Sequence, residues 1–323
     1  MNRTLAGFTL GAQSGLLTPI TVDGGHRIKG HSAESVGIIY PGERIDLISK
    51  WNTDSTSPRL RISLDRENFN YPNRALRPDQ SFPVLLTNHD SNGSTEGTSY
   101  EEPISPNSNT HFDLASAVSA TLTSAEGVAT HHAEAAEQSL LLYTKTQKLS
   151  INGNHPQGFM NRTSWTPQSP PLLSLPRTSW DKNQLVPFIP SNPSEPLWVD
   201  IILNNLDEGA HPFHLHGHDF YILASHRSEH GWGSYSPWAT AGSSSIAPEL
   251  NLINPVKKDT VSVPRRGYVI LRFRADNPGI WLFHCHVLFH QKSGMAFGLH
   301  VGRNEGHDDA DLLAGDLCPL LAA

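Results

Sequence analysis

The chain of 323 residues has only two cysteines, Cys285 and Cys318, which excludes a disulfide framework as the source of its stability. No apolar run approaches the roughly 20 residues that a membrane span requires, so no membrane span is expected. Lys and Arg total 24 against 31 Asp and Glu, a formal net charge of −7, and no basic block is present to follow a phosphate backbone. No nucleic acid is therefore expected as a partner. The opening stretch "MNRTLAGFTLGAQSGLLTPITVDGG" lacks a charged start, a continuous apolar segment and a small-residue cleavage site in the order a signal peptide needs. It reads as domain sequence, with no signal peptide visible. Tandem repeats of fixed period are absent, and helical periodicity is scarce.

What the chain does have is short alternation of apolar and polar residues between Pro, Gly, Asn and Asp, as in "SVGIIYPGERIDLIS", "PRLRISLD", "PLWVDIILNN", "DTVSVP" and "YVILRFRA". The expected class is all-β, and the length suggests about two domains. Residues 87–137 are poor in bulky apolar side chains and rich in Ser, Thr, Asn, Gly and Ala, which cannot offset ordering entropy by burial. They read as a linker, with one short helix near "DLASAVSATL". The expected division is therefore 1–86, a linker over 87–137, and a second unit over 138–323.

Histidine is concentrated. "HPFHLHGHDF", residues 211–220, holds His211, His214, His216 and His218. A lone histidine is usually structural, but four at this spacing point to metal ligation, since neutral imidazole suits copper, zinc, iron and nickel. Downstream, "IWLFHCHVLFHQKSGM", residues 280–295, carries His284, Cys285, His286, His290 and Met295. If "GIWLFHCH" is a strand, His284 and His286 face one way and Cys285 the other. One metal cannot easily take all three, which speaks against a mononuclear zinc site and for two centres on opposite sides of one strand. On the Cys285 side, a thiolate, two imidazoles from His290 and His211, and a weak thioether from Met295 describe a blue-copper site. On the opposite side, His214, His216, His284 and His286 bring four imidazoles together.

"HPFHLHGH" and "HCHVLFHQKSGM" resemble the two C-terminal copper motifs of the multicopper oxidases, the family of laccases, ascorbate oxidases and ferroxidases. The resemblance extends over "NPVKKDTVSVPRRGYVILRFRADNPGIWLFHCH" and more loosely to "ESVGIIYPGERIDLI", which is similar to the second domain of three-domain members. It implies cupredoxin-like Greek-key β-sandwich domains, one partial and one complete. By the same resemblance, His211, Cys285 and His290 match type 1 copper ligands with Met295 axial, His214 matches a type 2 ligand, and His216, His284 and His286 match type 3 ligands. The implied activity is one-electron oxidation of a phenolic, ascorbate-like or metal-ion donor coupled to reduction of dioxygen to water, with electrons leaving Cys285 for His284 and His286.

His218 matches no ligand of the pattern and reads as a supporting or substrate-side residue; Trp281 and Phe283 read as core. Cys318 in "GDLCPLL" is similar to a C-terminal cysteine that some members bond to their first domain, and a free thiol fits equally. Met295 and "HLHGHDFYIL" lean toward ascorbate-oxidase-like members. The insertion at 225–252 is expected near the donor, with Glu229 and Glu249 as its carboxylates for a ferrous ion. Three N-x-[ST] triplets, at Asn2, Asn92 and Asn161, give weak support for a secreted or secretory-pathway parent protein.

The family's first domain supplies two further His-x-His motifs, and neither is here. His131 and His132 of "THHAE" do not replace them, because adjacent side chains diverge. The expectation is a chain that begins partway into a second domain, with a complete type 1 site and half of a trinuclear one, the missing domain to be restored or supplied by a partner chain. A non-catalytic copper-binding or electron-transfer protein is the alternative.

Overall fold

The computed structural model describes residues 7–53, 55–67, 74–86, 111–120, 136–192, 194–231, 233–239 and 248–302. They fall into two compact units, one within Ala6–Tyr40 and Arg44–Ala120, the other within Thr121–Ala323 together with the short segment Pro41–Glu43. Both are built of strands. No helix among the described residues is long and apolar enough to cross a membrane.

Among the described residues the first unit has eight strands: β1 (Phe8–Gln13), β2 (Gly15–Val22), β3 (His26–Arg27), β4 (Ser35–Ile39), β5 (Ile45–Trp51), β6 (Arg59–Leu64), β7 (Asp79–Pro83) and β8 (His111–Asp113). They form a five-stranded sheet in the order β7-β6-β1-β4-β8 and a three-stranded sheet in the order β3-β2-β5. Strand β8 and the 3-10 turn Leu114–Ser116 lie inside the stretch read from sequence as a linker, and the helix expected there is only that turn. The compact unit thus reaches Ala120 and does not stop at residue 86. A three-residue strand needs little apolar sequence: Phe112 alone is buried, while His111 Nδ1 bonds the Ser35 hydroxyl and β8 pairs in parallel with β4.

The second unit has β9 (Gln138–Lys148), β10 (Pro156–Met160), β11 (Phe188–Pro190), β12 (Trp198–Asn205), β13 (His211–Leu215), β14 (Phe220–His226), β15 (Lys257–Lys258), β16 (Thr260–Val263), β17 (Tyr268–Arg274), β18 (Gly279–Cys285) and β19 (Ala296–Gly302). A six-stranded sheet runs β10-β9-β12-β17-β14-β15, and a five-stranded sheet runs β11-β19-β18-β13-β16. β12 lies parallel to β9 and antiparallel to β17, so neighbours in space are distant in sequence, as in a Greek key.

Alternation along β12 explains the layering. Val199, Ile201 and Leu203 enter the main core, where Phe213, Phe220, Phe273, Phe283 and Phe297 are each buried to completion. Ile202 faces the other way and packs with Tyr221, Leu223, Tyr268 and Ile270. Leu250, Leu252 and Tyr235 of the 225–252 insertion cover this second, outer cluster.

Candidate metal centre

Register places the two histidine motifs side by side. β13 and β18 are antiparallel neighbours with Phe213 opposite Cys285 and His214 opposite His284. Directly paired residues share a face and successive residues alternate, so Phe213, Cys285 and, two residues back, His211 point into the core, whereas His214 and His284 point away from it. The ladder continues past both strand ends, with the His216 amide bonded to the Leu282 carbonyl and the His286 amide to the Pro212 carbonyl. The two-residue alternation of the strands thereby sorts the motif residues onto two separate faces.

On the core face, Cys285 Sγ stands 3.9 Å from His211 Nδ1 and 3.6 Å from His290 Nδ1, and the two ring nitrogens are 3.1 Å apart. Among the described residues, this is the one group of His, Cys, Asp and Glu whose donor atoms converge closely enough to share an ion. His290 arrives on a short helix, Leu288–Lys292, that follows β18 directly. Donors bound at about 2.0–2.3 Å from one ion, with angles of 100–120° between them, stand about 3.1–3.8 Å from one another; the observed spacing fits. Burial pushes the Cys285 thiol up to about 12 and the His290 ring down to about 4, so without a cation the site holds a neutral thiol and a neutral imidazole. Met295 is wholly buried in the same core, its amide bonded to the His290 carbonyl and its carbonyl accepting from the Cys285 amide. Gly158 permits that approach, because a Cβ there would lie 2.8 Å from the Met295 amide nitrogen and its Cβ.

Asp207, which the sequence reading did not single out, fixes the geometry of His211. Its Oδ2 accepts from His211 Nε2 at 2.9 Å. Burial raises the Asp207 carboxyl, but the bond and charge of His211 and the bond from the Thr146 amide at 2.7 Å outweigh it and hold the group below its usual range. An ionised carboxylate only accepts, so the ring proton sits on Nε2 and the Nδ1 lone pair is left facing Cys285 and His290. The signal was present in "NNLDEGAH": an acid four residues ahead of a ligand across a tight turn. Glu229 and Glu249, the carboxylates expected near the donor, are both exposed on a segment whose apolar residues cover the outer cluster.

On the opposite face, His214, His216, His284 and His286 form one group of rings. Centroids are 5.1 Å apart for His214 and His216, 5.8 Å for His214 and His284, 5.9 Å for His214 and His286, and 5.7 Å for His284 and His286. Nε2 of His216 and Nε2 of His284 are 3.1 Å apart. His214 is oriented by Nδ1, which contacts the Asp259 carbonyl and the Thr260 hydroxyl, each at 3.0 Å. Burial, assisted by the neighbouring rings, takes His284 down to about 4 and lowers His216 as well. His216 and His286 are exposed. His218 is buried instead beneath Phe273 and Trp281, with ring centroids 5.1 and 5.9 Å away, and is not among the four. Phe283 is core, packed between Phe213, to which its ring is tilted, and Phe297, which it meets edge to face. Cys318, His131, His132, Asn2 and Asn92 lie outside the described residues.

A multicopper oxidase family model matches residues 147–305. The iron transport multicopper oxidase FET3 of Candida glabrata is 38% identical over 153 residues, which is 45% of this chain and 23% of that protein. FET3 of Candida albicans is 47% identical over 100 residues, 30% of this chain and 15% of that one. Among solved structures, that of Fet3p, titled a multicopper oxidase that functions in iron import, superposes with a TM-score of 0.70 at 19% identity, over 92% of this chain and 53% of that one. Laccase from Botrytis aclada gives 0.62 at 20% identity, over 98% and 55%. The chain thus spans about half of each solved relative, and the aligned stretches are less than a quarter of each curated one. At these identities the structural likeness establishes the fold, the cupredoxin β-sandwich.

Proposed function

We propose that the chain is a member of the multicopper oxidase family, whose model matches residues 147–305, and that its second unit is the copper-bearing part of an oxidase that takes single electrons from a metal-ion donor. Copper held by His211, Cys285 and His290, with Met295 as a weak further donor, would supply reversible one-electron chemistry there. The observation that carries the reading is the two-faced strand β18, which offers Cys285 to a nitrogen–sulfur set and His284 to an all-imidazole set. Cys285 is joined covalently to His284 and His286, so the route between the faces is one residue of backbone. Oxygen chemistry belongs to the four-imidazole face, to which His214 contributes in the type 2 manner and His216, His284 and His286 in the type 3 manner. The sequence holds no further strand-borne His-x-His pair to complete that face, so copper beyond the first equivalent is held weakly and turnover of this 323-residue chain is impaired.

Two observations support a metal-ion donor over a phenol or an ascorbate-like molecule. Three of the four relatives cited above, all but the laccase, are named for iron transport or iron import. Asp207 also presents a carboxylate, with its side chain 17% exposed, one hydrogen bond from the His211 ring. A secretory-pathway parent protein is supported by the exposed Asn161 of the N-R-T triplet, which sits at the surface turn after β10.

Copper-loaded chain mixed anaerobically with ferrous ion and then with oxygen tests the proposal. Bleaching of a blue absorption by ferrous ion, with slow recovery in oxygen, is expected. Sustained oxygen uptake would overturn the impairment. Failure of ferrous ion to bleach what a phenolic donor bleaches would overturn the donor, and reoxidation that never occurs would favour an electron-transfer protein.

A further inference from the structure

Strand β12 ends in two adjacent asparagines, Asn204 and Asn205, and both are wholly buried. By the alternation that sends Leu203 into the main core and Ile202 into the outer cluster, their side chains leave the strand on opposite faces. Asn204 Oδ1 accepts from the Tyr235 amide at 2.7 Å, and its Nδ2 donates to the carbonyls of Tyr235 at 3.0 Å and Leu142 at 3.5 Å. Asn204 thus holds the 225–252 insertion. Asn205 is bonded on the side of the ligands. Its Oδ1 accepts from the Asp207 amide at 2.9 Å, and the two hydrogens of its Nδ2 are shared among the carbonyls of Gly209 at 2.8 Å, Val263 at 3.2 Å and Pro264 at 3.1 Å. Val263 is the residue that pairs with His211 across β13 and β16. One side chain therefore grips the turn that leads into His211 and ties it to the strand beside that ligand. Asp207 is held at its other polar groups as well, its carbonyl by the Arg266 amide at 3.0 Å and its carboxylate by the Thr146 amide at 2.7 Å and His211 Nε2 at 2.9 Å.

From these contacts we propose that Asn205 is a positioning residue for His211: it fixes the backbone of Asp207 so that the carboxylate meets His211 Nε2, and through that bond it sets the tautomer and plane of the ring. A carboxylate on a loose turn would still find the ring, but over a range of positions, and the Nδ1 lone pair facing Cys285 and His290 would spread with it. If Asn205 only closed the end of β12, its loss would cost stability and leave the ring as it is.

This role rests on the reading of His211 as a copper ligand, but its test does not depend on copper. Asn204 provides the control, being the same residue type, adjacent, equally buried and likewise bonded to backbone, but on the opposite face. In copper-free protein isotopically labelled at histidine, the His211 ring of wild type and of Asn204→Ala is expected to show one protonated nitrogen, Nε2, and one bare nitrogen, Nδ1. Asn205→Ala moves the two nitrogen signals toward each other, as a ring exchanging between tautomers does. In an Asp207→Ala background Asn205→Ala adds nothing further, because its effect runs through the carboxylate. In copper titrations, Asn205→Ala weakens the first equivalent by about tenfold, the scale of a lost orienting partner, and Asn204→Ala does not. Identical His211 ring signals in Asn205→Ala and Asn204→Ala would overturn the proposal. Should Asn205→Ala fail to fold, hydrogen exchange of the wild type decides: the Asp207 amide should exchange as slowly as the amides of β12, and free exchange would overturn the proposal. If wild type binds no copper at all, the copper reading of His211 fails, and the ring signals still decide whether Asn205 positions it.

Discussion

Asp207, bonded to His211, and Met295, bonded through its backbone to Cys285 and His290, are expected to act on different properties of the site. Asp207 fixes the His211 tautomer and, on the proposed reading, offers its carboxylate to a ferrous ion, so Asp207→Asn keeps the ring contact while removing the charge. Its blue absorption should persist, and its rate of reduction by ferrous ion should fall by tenfold or more, with reduction by an uncharged phenol changed much less. Stopped-flow bleaching with the two donors measures both, and equal losses would mean that Asp207 serves His211 alone. Met295→Leu removes from a fully buried position the thioether that, on the proposed reading, is a weak fourth donor. Its colour is expected to survive and its reduction potential to rise, since losing that donor favours cuprous copper; redox titration giving the wild-type potential would remove Met295 from the site. At this scale the sequence was most legible, because His211, His214, His216, His284, Cys285 and His286 all sit on a period of two that strand geometry turns directly into faces. Asp207 was hidden because its partnership crosses a turn, where no periodicity operates.

Elements carry the site through close approach. β10 passes over the chain at Met295 with no room for one extra carbon at Gly158. Gly158→Ala should accordingly cost about 1–3 kcal/mol, the range for overpacking a filled core, read as a lower denaturation midpoint of the copper-free protein. A neutral result would mean that β10 can move away freely. The strands themselves were readable from alternation, as with β12 and β17, whose partners "PLWVDIILNN" and "YVILRFRA" pair residue for residue. β8 was not, since one buried phenylalanine in a polar stretch leaves no pattern to read.

The metal-free molecule as a whole should be limited at both ends of the pH scale by its ligands. His284 and His290 are held near 4, below the ordinary 6.5, so folding favours their neutral forms. That stability is fully present above pH 6.5 and is lost as pH falls toward 4, about 3 kcal/mol for each ring at order of magnitude. Cys285, raised from 9.0 to about 12, behaves oppositely, its contribution present below pH 9 and lost as pH rises toward 12. Maximum stability of the copper-free chain is expected between about pH 7 and 9, and denaturant titrations across pH 4–8 that find no acid loss would contradict the burial assigned to these rings.

The two-faced donor arrangement on β18 is tested most directly by titrating the purified chain with copper while following thiolate-to-copper absorption, in parallel with Cys285→Ser. An intense blue band should grow to saturation at one copper per chain, further copper should add none of it, and the serine variant should show none at any loading. A band that survives in Cys285→Ser, or that fails to form in the wild-type chain, would contradict the assignment of Cys285 to one face and the four imidazoles to the other.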